Sequence, residues 1–219
     1  TSIKFLELIH KKYSSHTKII KTNSKAKQAS LSHGETLDYL FHYMTSEIGI
    51  VSDADVMILK KDWDMDIIKD LENSDVYGIT YSKTIPNKNV GVPIATFMAF
   101  KPKDLKIVSF TFMPLKSIKM NAANKKIKVD KYNGYKLNRC IVTETNKHSF
   151  PNCKIGSVIF MDTGQEVYMK LPYYGFRLNI YSEKDNFYDL FDLYTRNKEN
   201  FVVHFRKARR DIKYRKNIV

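Results

Sequence analysis

The chain has 219 residues, with 37 lysines and arginines against 23 aspartates and glutamates, a formal charge of +14. That length holds one sizeable core, or a core plus a lobe, rather than two ordinary domains. Hydrophobic residues at 43% and aromatics at 13% exclude a disordered chain, and the positive balance asks for an anionic partner such as nucleic acid, a phosphorylated small molecule or an anionic membrane surface.

Ile3 to Tyr13 reads as a helix with Leu6, Ile9 and Tyr13 on one face. Lys18 to Thr22 is a short strand, and Asn23 to Ser30 a polar loop. Ser32, with Glu35 three residues on, has the pattern of a capping box and opens a second helix carrying Leu37, Leu40, Phe41 and Met44. Ile48 to Ser52 is the central strand. Asp62 caps a third helix that turns Trp63, Ile67 and Leu71 inward, and strands follow at Val76 to Tyr81 and Ala95 to Phe100.

This alternation of helix and strand implies an α/β fold with a mostly parallel central sheet flanked by helices. From Lys101 to Ser149 the pattern gives way to an irregular, lysine- and asparagine-rich stretch with the turn Asn133-Gly134 and short strand-like runs such as Cys140-Ile141-Val142. Val158 to Met161 is a strand and Thr163 to Tyr173 a helix. Arg177 to Tyr181 and Phe201 to Phe205 are closing strands, ahead of a basic tail from Arg206 to Lys216. No apolar run reaches the roughly 20 residues of a spanning helix, and no signal-peptide core opens the chain. The two cysteines, Cys140 and Cys153, make neither a disulfide framework nor a zinc pattern, so the expectation is a reducing, cytoplasmic setting.

Several residues are placed for chemistry. Asp53 and Asp55 follow Ile48-Gly49-Ile50-Val51 at the end of a buried strand. A hard divalent cation takes such oxygen ligands and fills its shell with water and substrate phosphates; the bland reading is a cap or a solvated turn. Asp62, Asp64 and Asp66 lack the glycine and glutamate of a calcium loop, with Ile67 and Asn73 in their places, and read as a helix cap and a solvated face. His33 and Gly34, at a helix start, suit a phosphate or simply belong to a well-capped helix. Asp162, ahead of Thr163-Gly164-Gln165-Glu166, reads as a general base or as a second cap. His204 ends an apolar run just before Arg206 and Lys207, as a metal-ligating imidazole or a structural one.

Taken in order, these segments resemble a small glycosyltransferase of the GT-A type, similar to the family 2 group and its relatives in bacteria and large DNA viruses, over residues 3 to 210. The resemblance implies a single GT-A-like domain, with residues 1 to 100 binding nucleotide and residues 101 to 219 binding acceptor. It implies that Asp53 and Asp55 hold Mn²⁺ or Mg²⁺ against the diphosphate of a nucleotide sugar, with UDP the preferred nucleotide, and that His204 completes the metal shell or touches the diphosphate. Asp53 also lies near the ribose, His33, Gly34 and Asp38 line the nucleotide site, and Arg206 and Lys207 face the diphosphate. Asp162 takes the place of the base, with Glu166 as its substitute, and the acceptor is a hydroxyl of a glycan or other molecule, attacked with inversion. Members of the group usually begin with a strand that helps hold the nucleobase; here the sequence starts in the helix Ile3-Lys4-Phe5-Leu6, which leaves base recognition open.

The alternatives are a nucleotidyltransferase on a related fold, for which a Gly-rich triphosphate loop is missing, and a non-enzymatic nucleic-acid-binding protein. The latter is motivated by the charge and 14 tyrosines but has no recognisable nucleic-acid motif. The resemblance places the enzyme in the cytoplasm, the host's if the protein is viral, with the basic tail available for peripheral membrane contact.

Overall fold

Stretches of helical periodicity and the short apolar runs between and after them build the observed elements. A computed structural model describes residues 2–22, 29–81, 91–113, 131–132, 135–136, 139–141, 144, 154–156, 158–160, 163–164, 171–184 and 191–205. In chain order these hold α1 (Ser2–Lys12), α2 (Ala29–His42), β1 (Gly49–Ser52), β2 (Val56–Ile58), α3 (Trp63–Asp70), β3 (Val76–Gly78), β4 (Phe97–Phe100) and α4 (Pro102–Ile107). There follow β5 (Lys131–Tyr132), β6 (Tyr135–Lys136), β7 (Arg139–Ile141), β8 (Val158–Phe160), a 3-10 turn at Leu171–Tyr174, β9 (Leu178–Ile180), β10 (Ser182–Glu183), β11 (Asp192–Arg196) and β12 (Glu199–His204).

The fold is mixed α/β, and the described residues form two four-stranded sheets, ordered β1-β4-β3-β9 and β10-β11-β12-β2, and two small strand pairs, β5-β6 and β7-β8. The first sheet departs from the parallel expectation. β4 lies between β1 and β3 and runs antiparallel to both, and the one parallel pairing there is β3 with β9. Because β1 and β3 both oppose β4, they run in the same direction, so helix–strand alternation had the direction of these strands right and missed the reversed strand between them. β4 misleads because all four of its residues are buried. A strand covered on both faces reads as a continuous apolar run whichever way it points.

Alternate residues of β4 feed the two halves of the core. Met98 and Phe100 join Leu37 and Phe41 of α2, Val51, Leu105, Phe110 and Phe112 on one face. Phe97 and Ala99 join Ile67 and Leu71 of the α3 segment with Tyr181, Tyr194, Phe201 and Val202 on the other. Phe41 meets the rings of Phe100, Phe110 and Phe112 edge-on at 5.7 to 5.8 Å, the arrangement that ring quadrupoles favour.

Other elements differ in detail. Residues 18 to 22 form no strand. At residues 163 and 164 there is a turn, with Gly164 at φ 73°, rather than the start of a helix; residues 165–170 lie outside the described set. Asp62 stands at the N-cap of α3 in a left-handed conformation and makes no side-chain cap bond. Asp66 is not on a solvated face. It accepts from Arg196 Nη1 at 2.8 Å and pairs with Lys60 at 3.0 Å, while Arg196 Nε reaches both oxygens of Asp70 at 3.0 Å. Arg196 thus ties α3 to β11, and Tyr181, between β9 and β10, adds its hydroxyl to Asp70 at 3.2 Å. No helix among the described residues is long and apolar enough to cross a membrane.

Candidate functional site

The segment between β1 and β2 is where the chain leaves the first sheet and enters the second, and it carries both candidate carboxylates. The Asp53 N–H donates to Thr96 O at 2.8 Å, a last link to the β4 side of the first sheet. The Val56 N–H donates back to Asp53 O at 3.3 Å and closes a tight turn. β2 then pairs with β12, Val56 facing His204 in register, and the Phe205 N–H donates to Asp55 O at 2.9 Å. Both sheets therefore fix the main chain around the pair.

Each carboxylate meets an imidazole from a different element. His33 Nε2, from α2, lies 3.5 Å from Asp53 Oδ1, and His204 Nε2, from the end of β12, lies 3.8 Å from Asp55 Oδ1. All four side chains are partly exposed, from 17% for His204 to 36% for His33, so the cluster opens to solvent while shielding its acids. The resulting electrostatics are those of a partly buried acid beside an imidazole. Burial pushes the Asp53 carboxyl above its ordinary value and the Asp55 charge adds to this; His33, a hydrogen bond from Thr96 and His204 oppose it.

A carboxyl raised in the folded state holds its proton to higher pH than the unfolded chain does, so its contribution to stability falls as pH rises from the unfolded value through the folded one. In metal-free buffer, melting temperature is therefore expected to lose part of its downward slope from pH 4 upward in Asp53→Asn. Parallel slopes in variant and wild type would contradict the burial of that charge.

Two carboxylates one residue apart with an imidazole beside them are a donor set that suits Mn²⁺ or Mg²⁺ in chemistry, and a cation beside them would offset the cost that burial imposes on the Asp53 charge. Among the described residues no group of three or more histidine, cysteine, aspartate or glutamate side chains is arranged so that it could hold a metal ion. The fit is therefore one of donor chemistry alone, and Asp53, Asp55 and His204 are the residues that would hold such an ion.

Two expected nucleotide contacts have other work. α2 starts at Ala29, so Ser32 and Glu35 lie inside it and the backbone N–H groups of His33 and Gly34 fall beyond the first four of the helix, which alone are free for a phosphate. The serine–glutamate spacing is also an ordinary same-face pair within a helix, and Ala29 and Leu31, good helix formers, carry the helix upstream of it. Gly34 is buried against the chain at 112–113: a Cβ there would meet Phe112 O at 2.9 Å and Met113 Cα at 3.0 Å. Asp38 accepts from Thr111 Oγ1 and the Phe112 N–H, both at 2.5 Å. Burial raises its carboxyl, and these two bonds partly offset that. Gly34 and Asp38 thus fasten α2 to residues 111–113, and His33 is the member of the trio that reaches the acid pair.

The same Phe112 carbonyl accepts the Gly164 N–H at 2.6 Å, which brings residues 163 and 164 alongside the turn of α2 that bears His33. Asp162, Glu166, Arg206 and Lys207 lie outside the described residues. Thr96 and Asp192, both touching this cluster, carry no motif and are visible only in three dimensions. No protein-family model matches the chain, and no curated protein or solved structure matches it significantly.

Proposed function

We propose that the chain is a metal-dependent glycosyltransferase that moves a sugar from a nucleoside diphosphate sugar, UDP being the first choice, to a hydroxyl of a glycan or other acceptor with inversion. The observation that carries this reading is the convergence of Asp53 and Asp55 with His33 and His204 at the crossover between two sheets. The GT-A type of domain belongs to the same proposal.

In this reading Asp53, Asp55 and His204 hold the cation, and His33 lies beside Asp53 where a diphosphate oxygen needs a donor. A bound dication there supplies charge neutralisation for the departing nucleoside diphosphate. Asp162 serves as the base that takes the proton of the acceptor hydroxyl, with Glu166 as its substitute. The support is local: Gly164, two residues beyond Asp162, is bonded to the strip that also packs on Gly34. Arg206 and Lys207 follow His204 by two and three residues and would add positive charge near the diphosphate. The same basic tail is the segment proposed for peripheral membrane contact.

A ligand that binds only the folded chain raises its melting temperature by mass action. In a panel of nucleoside diphosphates with and without Mn²⁺, one nucleotide plus Mn²⁺ is expected to stabilise the chain well beyond the nucleotide or the metal alone. Stabilisation by single-stranded nucleic acid that collapses with rising salt, with no response to any diphosphate, would overturn the transferase reading.

A further inference from the structure

Among the described residues, Asp192 is the most deeply buried carboxylate beside the site. Its side chain is 1% exposed, at the first position of β11, and it faces His204 across the β11–β12 ladder. Asp192 Oδ2 lies 3.9 Å from His204 Nδ1, while the other ring nitrogen, Nε2, lies 3.8 Å from Asp55 Oδ1. The imidazole therefore stands between a carboxylate in the interior and one at the site.

An acid this far from water is costly unless a charged or donating group compensates it, and a hydrophobic residue would pack the start of β11 at less cost. Imidazoles that ligate metals commonly turn their second nitrogen to a carboxylate, which fixes the tautomer and the ring orientation. We infer that Asp192 is a positioning residue: it holds the Nδ1 edge of His204 inward, so that the Nε2 lone pair is presented beside Asp55. The cation half of this inference rests on the metal-dependent reading above; the orientation of the ring does not.

Two readouts separate these halves. In metal-free protein at a pH where the ring is neutral, ¹⁵N spectra of histidine-labelled chain are expected to place the His204 proton on Nδ1, and Asp192→Asn to move it toward Nε2. Mn²⁺ affinity, measured by electron paramagnetic resonance, is expected to fall about 10- to 100-fold in Asp192→Asn, and not to fall further when the same change is made in a His204→Ala background. Asp192→Ser, which also removes the charge from a smaller side chain, should repeat both results, and amide spectra report that each variant is folded. An unchanged His204 tautomer in both folded variants, or an equal loss of Mn²⁺ affinity with His204 absent, would overturn the inference. Should wild-type chain bind no Mn²⁺, the metal-dependent reading falls, and the tautomer comparison alone decides whether Asp192 orients the ring.

Discussion

Asp55→Ala is expected to lower metal-dependent sugar transfer by about 1,000-fold, the scale of several kcal/mol of lost charge stabilisation, while leaving the fold intact. The separation is possible because the main-chain anchor at this position survives the change: the Phe205 N–H bonds the Asp55 carbonyl, not its carboxylate. β2 should therefore stay paired with β12, and the loss should appear in kcat at saturating donor. Turnover of nucleotide sugar at several Mn²⁺ concentrations, alongside a thermal melt, checks both parts. Transfer at the wild-type rate in a folded Asp55→Ala chain would remove the acid pair from the mechanism. A collapsed melt would instead assign the carboxylate to stability.

The second large effect falls on stability. Arg196→Ala should cost about 2–4 kcal/mol, because it takes from two largely buried acids the guanidinium that they share, leaving Asp70 with only the Tyr181 hydroxyl among its described partners. The Arg196 side chain is 9% exposed and that of Asp70 11%. Burial raises the Asp70 carboxyl, and the hydrogen bond and charge of Arg196 oppose this. Asp66 is somewhat more open and keeps Lys60 as a partner, so the figure sits below that of a fully enclosed pair. Arg196→Lys should recover only part of the loss, since an ammonium cannot span Asp66 and Asp70 as a planar fork does. Urea unfolding at constant m value reads the difference. A midpoint shift worth less than about 0.5 kcal/mol, the level of an exposed pair, would show the network to be ornamental to the fold.

Much of the scaffold is visible in the primary structure where burial imposes a period. α1, α3, β1 and β12 follow from apolar spacing, and the acid pair from its place after a buried run. Elements held by something other than apolar side chains escape. β11 begins with Asp192 and ends with Arg196, both engaged with charged neighbours, so its pattern does not alternate apolar with polar. The hairpin joining it to β12 turns through Asn197 and Lys198, at φ 51° and 68°. A lysine in the second of these left-handed positions hides a turn that glycine would have advertised. The start of α2 escapes because a serine–glutamate pair looks the same inside a helix as at its head.

The site divides along the same line. Asp53, Asp55, His33 and His204 could be nominated by motif and position, and the structure brings them together in two acid–imidazole pairs. Gly34 and Asp38 could not be separated from His33 by local sequence, since glycine at a close helix contact and glycine at a phosphate look alike until the neighbour is known. Thr96 and Asp192 reach the cluster from β-sheet neighbours far along the chain, and no spacing rule connects them to it.

The most direct test is a crystal of the chain grown with Mn²⁺ and UDP, with anomalous scattering collected at the manganese edge. The account predicts one strong manganese peak bounded by the carboxylates of Asp53 and Asp55 and by His204 Nε2, with diphosphate oxygens completing the shell. A peak elsewhere, or a nucleotide bound with no manganese at the crossover between the sheets, would contradict it.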